Sequence, residues 1–218
     1  SWSTTTSADG ITITLRDTNA GDRLRASIDV FLPNERAYVA VSPRVENPTG
    51  SPIDFKFWVN AATAPGAANS PTDGLSFVFN ASEMAVHSTG DDRLPGASPV
   101  VPDDTDYLFR WPAHQGVDYS RLSNWTEWLG FFEYPQAPRD FIGVYDHQQA
   151  AGLMRIFPHK VARGTKGFAV GWSDALDWHL WTDVPSGGVE LHGGLAPTFW
   201  DTVTLPSGGS ISYEELWY

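Results

Sequence analysis

The sequence predicts an all-β domain, an antiparallel β-sandwich of about a dozen short strands. Three observations carry that expectation. Apolar and polar residues alternate with period two in successive runs rich in β-branched and aromatic residues. Clusters of Gly, Pro, Asn and Asp separate these runs at regular intervals. There is no heptad repeat and no amphipathic helix longer than about three turns. Nor is there a strand–helix–strand alternation, a phosphate loop or a dinucleotide fingerprint.

The elements follow in order. The opening SWSTTTSADG is already strand-like, as expected of a mature or trimmed part of a longer protein. ITITLRD, Ile11 to Asp17, alternates as a half-buried strand, and Asn19 to Asp22 turns the chain. Leu24, Ala26, Ile28, Val30 and Leu32 fall on one face of the next strand. Ala37 to Asn47 is a third strand, closed by the turn NPTGSP, and Ile53 to Ala62 reads as a fourth. Such a meander makes a sheet with one solvated face. Residues 63 to 106 are dominated by Pro, Gly, Ser and Asp, with two short strands, Leu75 to Asn80 and Glu83 to Ser88. Loops of that length are functional or mobile in compact domains. Aromatics concentrate from Tyr107 to Tyr134, where RLSNWTEWLGFFEY admits either a helical turn or a strand. Phe141 to Tyr145 and Leu153 to Phe157 form a hairpin turning near His147 to Gly152, and GTKGFAVGW is a further strand. GGVEL is a strand entered from a Gly turn and broken by LHGGLAP; TLPSGGSISYEELWY is a turn and an alternating closing strand.

The 218 residues suffice for one continuous domain, residues 1 to 218, with 41% apolar and 18% charged residues. The net charge is −12, and the 14 basic residues form no cluster, which argues against nucleic acid or an anionic membrane as partner. No apolar run is long enough to span a membrane as a helix. The absence of Cys excludes disulfides, thiolate metal sites and a Cys nucleophile. The His residues show no metal-ligand spacing, Asp103, Asp104 and Asp106 read as a solvated acidic loop, and no cofactor is expected.

One stretch, Gly171 to Tyr218, concentrates Trp and His around Glu190. A carboxylate between Val189 and Leu191 is costly to bury without partners. It is either a ligand-binding acceptor or base, or a strand residue facing water while its neighbours face the core. His192 shares its face if the strand continues. Trp178, His179 and Trp181 offer ring faces on which sugars stack, or pack a core. Trp125 and Trp128, flanking Glu127, are a sugar platform or an aromatic face under a loop. Lys56 and Trp58 share a strand face. Arg155, near His159, can hold a sugar hydroxyl or a uronic carboxylate, or form a surface ion pair.

The order VENPTGSPIDFKFWVNAA, loops, hairpin, GFAVGW and VELHGGLAPTFWDTVTLPSGGSISYEELWY resembles the later two-thirds of the galactose mutarotase-like β-supersandwich, in particular its uncharacterised bacterial members. The resemblance implies that Glu190 is the general base that takes the proton of an anomeric hydroxyl. The family's acid, a His in an N-H-x-Y-F-N pattern, has no counterpart in DFKFWVN, which offers Lys56, Trp58 and Asn60; a further Arg and His of the family fall before residue 1. The expected function is carbohydrate recognition through an aromatic-lined cleft centred on Glu190, in a binding or accessory domain. The alternatives are an aldose epimerase-like or glycoside-cleaving enzyme, with Glu190 as base and His192 or His179 as acid, and a ligand-free structural module. The expected setting is the exterior or surface of a bacterial cell.

Overall fold

The computed structural model describes residues 1–19, 21–65, 70–96, 106–170 and 188–218, and all structural statements concern these. The alternating runs pair as a meander: β1 (Trp2–Thr6), β2 (Gly10–Arg16), β3 (Arg25–Pro33) and β4 (Val39–Glu46). Ile11, Ile13 and Leu15 lie opposite Leu32, Val30 and Ile28, so one face of the ribbon is apolar. The run expected as one strand from Ile53 to Ala62 is two, β5 (Ile53–Phe55) and β6 (Trp58–Thr63), in different sheets. Lys56 and Phe57 carry the chain across, because β6 finds its partner in β16.

The remaining strands are β7 (Leu75–Val78), β8 (Glu83–Thr89), β9 (Leu108–Arg110), β10 (Ala113–His114), β11 (Val117–Asp118), β12 (Leu129–Glu133), β13 (Phe141–Asp146), β14 (Ala151–Ile156), β15 (Gly164–Ala169), β16 (Val189–Gly194), β17 (Val203–Leu205), β18 (Ser210–Ser212) and β19 (Glu215–Trp217). The stretch that admitted a helical turn or a strand holds both: a 3₁₀ turn at Leu122–Asn124, then β12. The closing run is split into β18 and β19, which pair with β4 in succession.

Two antiparallel sheets form the sandwich. One runs β1-β2-β3-β4-β19-β14-β13-β7, with β18 also on β4; the other runs β6-β16-β15-β12-β8-β9. The expected all-β sandwich is the fold observed. Phe77, Ile142 and Val144 from the first sheet share one core with Val86, Phe131, Val189 and Leu191 from the second. Burial of such side chains contributes on the order of 2 kcal/mol each relative to exposure. No helix among the described residues is long and apolar enough to cross a membrane.

Strand β16 runs through the glycines expected to break it. A Cβ on Gly193 would sit 1.9 Å from the Arg155 guanidinium, and one on Gly194 would sit 2.3 Å from the Trp58 indole. Both glycines therefore stay extended and make room for a large side chain on opposite faces. Arg155 is fully buried between the sheets, with Nη2 2.5 Å from Glu215 Oε2 and its guanidinium 4.0 Å over Phe157. Trp217 Nε1 donates to the other Glu215 oxygen at 3.0 Å.

Candidate functional site

The face of the six-stranded sheet turned away from the core carries the chemistry. Val189 and Leu191 point into the core, so Glu190 and His192 point outward together. Strand pairing sets their neighbours. Across β6, Asn60 lies opposite His192 and Trp58 opposite Gly194. Across β15, Lys166 lies opposite His192 and Phe168 opposite Glu190. Phe132 of β12 then lies opposite Lys166. Directly opposed residues share a face, so this row is fixed by register. In β8 Met84 and Val86 point into the core, so His87 points to this face, where it meets Phe132, and a bulge opposite Gly130/Phe131 keeps Ser88 on the same face.

At the centre, Glu190 Oε2 is 2.9 Å from His192 Nε2 and accepts from Asn60 Nδ2 at 3.2 Å. Lys166 Nζ is 3.3 Å from the same His192 nitrogen. The ammonium also lies 5.2 Å from the Phe168 ring centre and 5.1 Å from that of Phe199, in cation–π range. Phe199 and Trp200 arrive from the loop after β16. Phe199 meets Trp58 edge-on at 4.6 Å and Phe132 at 5.1 Å; Trp200 lies 5.4 Å from Phe132. Lys56 anchors this loop, its ammonium donating to the Phe199 carbonyl at 2.6 Å. Thr198 Oγ1 donates to Asp201 at 2.8 Å and tightens the turn.

These surroundings set the charges. The hydrogen bond with His192 holds the Glu190 carboxyl below the usual carboxylate range, against the effect of burial. Burial pushes His192 down despite the Glu190 hydrogen bond. His87 falls to about 4, chiefly by burial and then by the nearby Lys166 charge. Burial lowers Lys166 to about 8, opposed by the Glu190 charge. At neutral pH the cluster thus holds one carboxylate, one ammonium and two neutral imidazoles. A neutral imidazole has one N–H. The shorter contact to a carboxylate assigns it to Nε2, donating to Glu190.

The expected site residues divide. Glu190, His192 and Trp58 come together, and Lys56 supports the wall. The Trp128 indole covers Gly90 at the end of β8, with the Glu127 carboxylate beside it. Trp125 packs in the core, stacked on Phe77 at 4.9 Å with Nε1 donating to the Tyr119 carbonyl at 2.9 Å. Arg155 lies between the sheets as described, and His159 Nδ1 is 2.5 Å from an Asp140 oxygen. Trp178, His179 and Trp181 lie outside the described residues, as do Asp103 and Asp104. Sequence reasoning missed Lys166, His87, Phe132 and Phe199. Lys166 carried the signal that exposed Glu190, a charge inside an apolar strand, in GTKGFAV. His87 follows from alternation with the core residues Met84 and Val86 in EMAVHS, a pattern the sequence reading did not use.

No protein-family model matches the chain. Solved structures do. Over 99% of its length the chain is similar to a TPR-domain containing protein from Parabacteroides distasonis, at 16% identity and a TM-score of 0.76, and it spans 33% of that protein. Over 98% it is similar to a protein from Klebsiella pneumoniae described as a candidate aldose 1-epimerase, at 12% identity and a TM-score of 0.61, spanning 52% of it. A galactose mutarotase-like protein from Clostridium acetobutylicum is similar over 100% of the chain, at 8% identity and a TM-score of 0.58, with 65% spanned. The chain has the galactose mutarotase-like fold, and it spans a third to two thirds of the length of these proteins.

Proposed function

We propose that the chain recognises carbohydrate in the cleft centred on Glu190. The observation that carries this reading is the pairing of polar groups with aromatic rings: Glu190, Asn60, His192 and Lys166 lie among Trp58, Phe168 and Phe199, the last packed on the buried Phe132. A sugar ring offers the complement, hydroxyls on its edge and apolar C–H faces for stacking. An ionised carboxylate that already accepts two hydrogen bonds has lone pairs left for a sugar hydroxyl. Likeness in fold to an aldose 1-epimerase candidate supports the ligand class without fixing it.

A catalytic reading is the second, an aldose epimerase-like use of Glu190 as base. It is favoured by the low-lying Glu190 carboxyl, which keeps the base ionised at neutral pH. His192 is a weak candidate for its acid, because the imidazole is neutral and its Nε2 proton is directed at Glu190 itself.

Intrinsic Trp fluorescence, titrated with a panel of mono- and oligosaccharides, tests the recognition reading. Trp58 and Trp200 border the cleft, so at least one sugar should give a saturable change, weakened tenfold or more in Glu190→Gln. A flat response to the whole panel, or equal affinity in the variant, contradicts it.

A further inference from the structure

We propose that the chain pairs with a second copy of itself through the ribbon β1–β3, apolar face on apolar face. The first sheet is wider than the second. Phe131 of β12 meets Phe77 of β7, ring centres 5.7 Å apart, and Gly193 of β16 lies against the Arg155 side chain of β14. The second sheet thus lies strand for strand over the first, β12 over β7, β15 over β13 and β16 over β14. Its end strand, β6, then falls over β19. Past that point the first sheet continues as β4, β3, β2 and β1. Register carries the core-side face outward along one row. Val41, packed on the core, opposes Val30, which opposes Ile13, which opposes Thr4. The row ends in solvent. Trp2, Ile11, Ile13, Leu15 and Leu32 stand on this face with 40% to 72% of their surface exposed.

The chemistry of the face and its borders selects the occupant. The chain carries a net charge of −12. Yet the charged residues of these three strands, Arg16, Arg25 and Asp29, all alternate to the other side. The partner surface is therefore apolar and uncharged. Two open strand edges lie beside the ribbon. Ser1 and Arg16 exchange backbone hydrogen bonds, so the N–H and C=O groups of Trp2, Thr4 and Thr6 point away from β2. The Leu195 N–H donates to the Phe57 carbonyl, and the same alternation turns those of Trp58, Asn60 and Ala62 away from β16. Among the described residues no strand pairs with either edge. β1 has no Lys, Pro or bulge to guard it. A second copy, turned by half a turn about an axis parallel to the strands, meets all of these demands. Its ribbon covers the ribbon, its β1 falls beside β6, and its β6 falls beside β1. Three outward-facing residues meet three at each seam. The contact is isologous and closes on itself. The ribbon is roughly 14 Å across and 23 Å along its strands. With both seams closed, the contact reaches the lower end of stable interfaces, roughly 1,200 Å² in total. The dimer is accordingly a reversible one.

The test is sedimentation velocity of the whole chain over a range of concentrations, with amide hydrogen exchange measured beside it. The wild type should pass from monomer to dimer as its concentration rises through the micromolar range. Ile13→Glu sets a charge into the ribbon face and should weaken the dimer about tenfold or more, since each copy would then bury it. Thr5→Glu sets the same charge on the opposite face of β1 and should leave the dimer intact. Both positions are exposed, so both variants should keep the wild-type urea midpoint. In the wild type, the amides of Thr4 and Asn60 should gain protection as the dimer forms. That measurement decides by itself if Ile13→Glu does not fold. Four results each overturn the proposal: a chain that stays monomeric, an open-ended assembly, a dimer that Ile13→Glu leaves intact, or Thr4 and Asn60 amides that still exchange freely in the dimer.

Discussion

At the residue scale, the candidate site sets charges into a sheet where burial works against them. Lys166 is held in a site that lowers its affinity for a proton from 10.5 to about 8. The sign of the linkage follows. Below pH 8 the folded chain carries a desolvated ammonium that the unfolded chain carries in water. The fold therefore gains stability as pH rises from 8 towards 10.5, and it bears the full penalty at neutral pH. Replacing the ammonium by an apolar chain of like length should remove that penalty. Lys166→Met is predicted to raise stability at pH 7 by up to about 3 kcal/mol, read from urea unfolding, and to flatten the rise above pH 8. A destabilised Lys166→Met would show that the ammonium is held for structure. Glu190 was legible in the sequence because a carboxylate between Val189 and Leu191 stands out. Lys166 gave the same signal in a less aromatic context. Arg155 gave a similar one and serves the core instead, because its outlet, a surface or an interior partner such as Glu215, depends on the other strand.

At the element scale, β16 joins core and cleft, and its glycines decide what lies on each side. Their small size reads in sequence as a strand end, since Gly weakens a strand interior. Here large side chains from other strands fill the vacated space, Arg155 on one face and Trp58 on the other, and no local pattern announces that. Gly193→Ala should test this directly. A guanidinium can usually swing aside, but this one is fully buried and paired with Glu215. The variant should lose about 1–3 kcal/mol in chemical denaturation, as overpacked cores do. A neutral outcome would mean that Arg155 relaxes at no cost. The break between β5 and β6 has the same origin. Alternation assigns faces to a run of residues, but the sheet it joins is fixed by its partners.

At the scale of the molecule, the all-β sandwich was legible because strand period, turn chemistry and the lack of helical periodicity agree. The sorting of strands into a nine-stranded and a six-stranded sheet was not. It rests on long-range pairings, such as β16 with β6 and β19 with β4, which lie distant in sequence. That sorting makes the candidate site: it lines up Trp58, Asn60, Glu190, His192, Lys166 and Phe132 on the face turned away from the core, with Phe199 and Trp200 packed against the buried Phe132. The central claim is that this face holds a sugar. An NMR titration with the saccharide that gives the strongest fluorescence response would test it most directly. Shifts are expected at the Trp58 indole, the Asn60 side-chain amide and the backbone amides of β15 and β16 around Lys166 and Glu190. Shifts confined to other surfaces, or none at saturating sugar, would contradict the account.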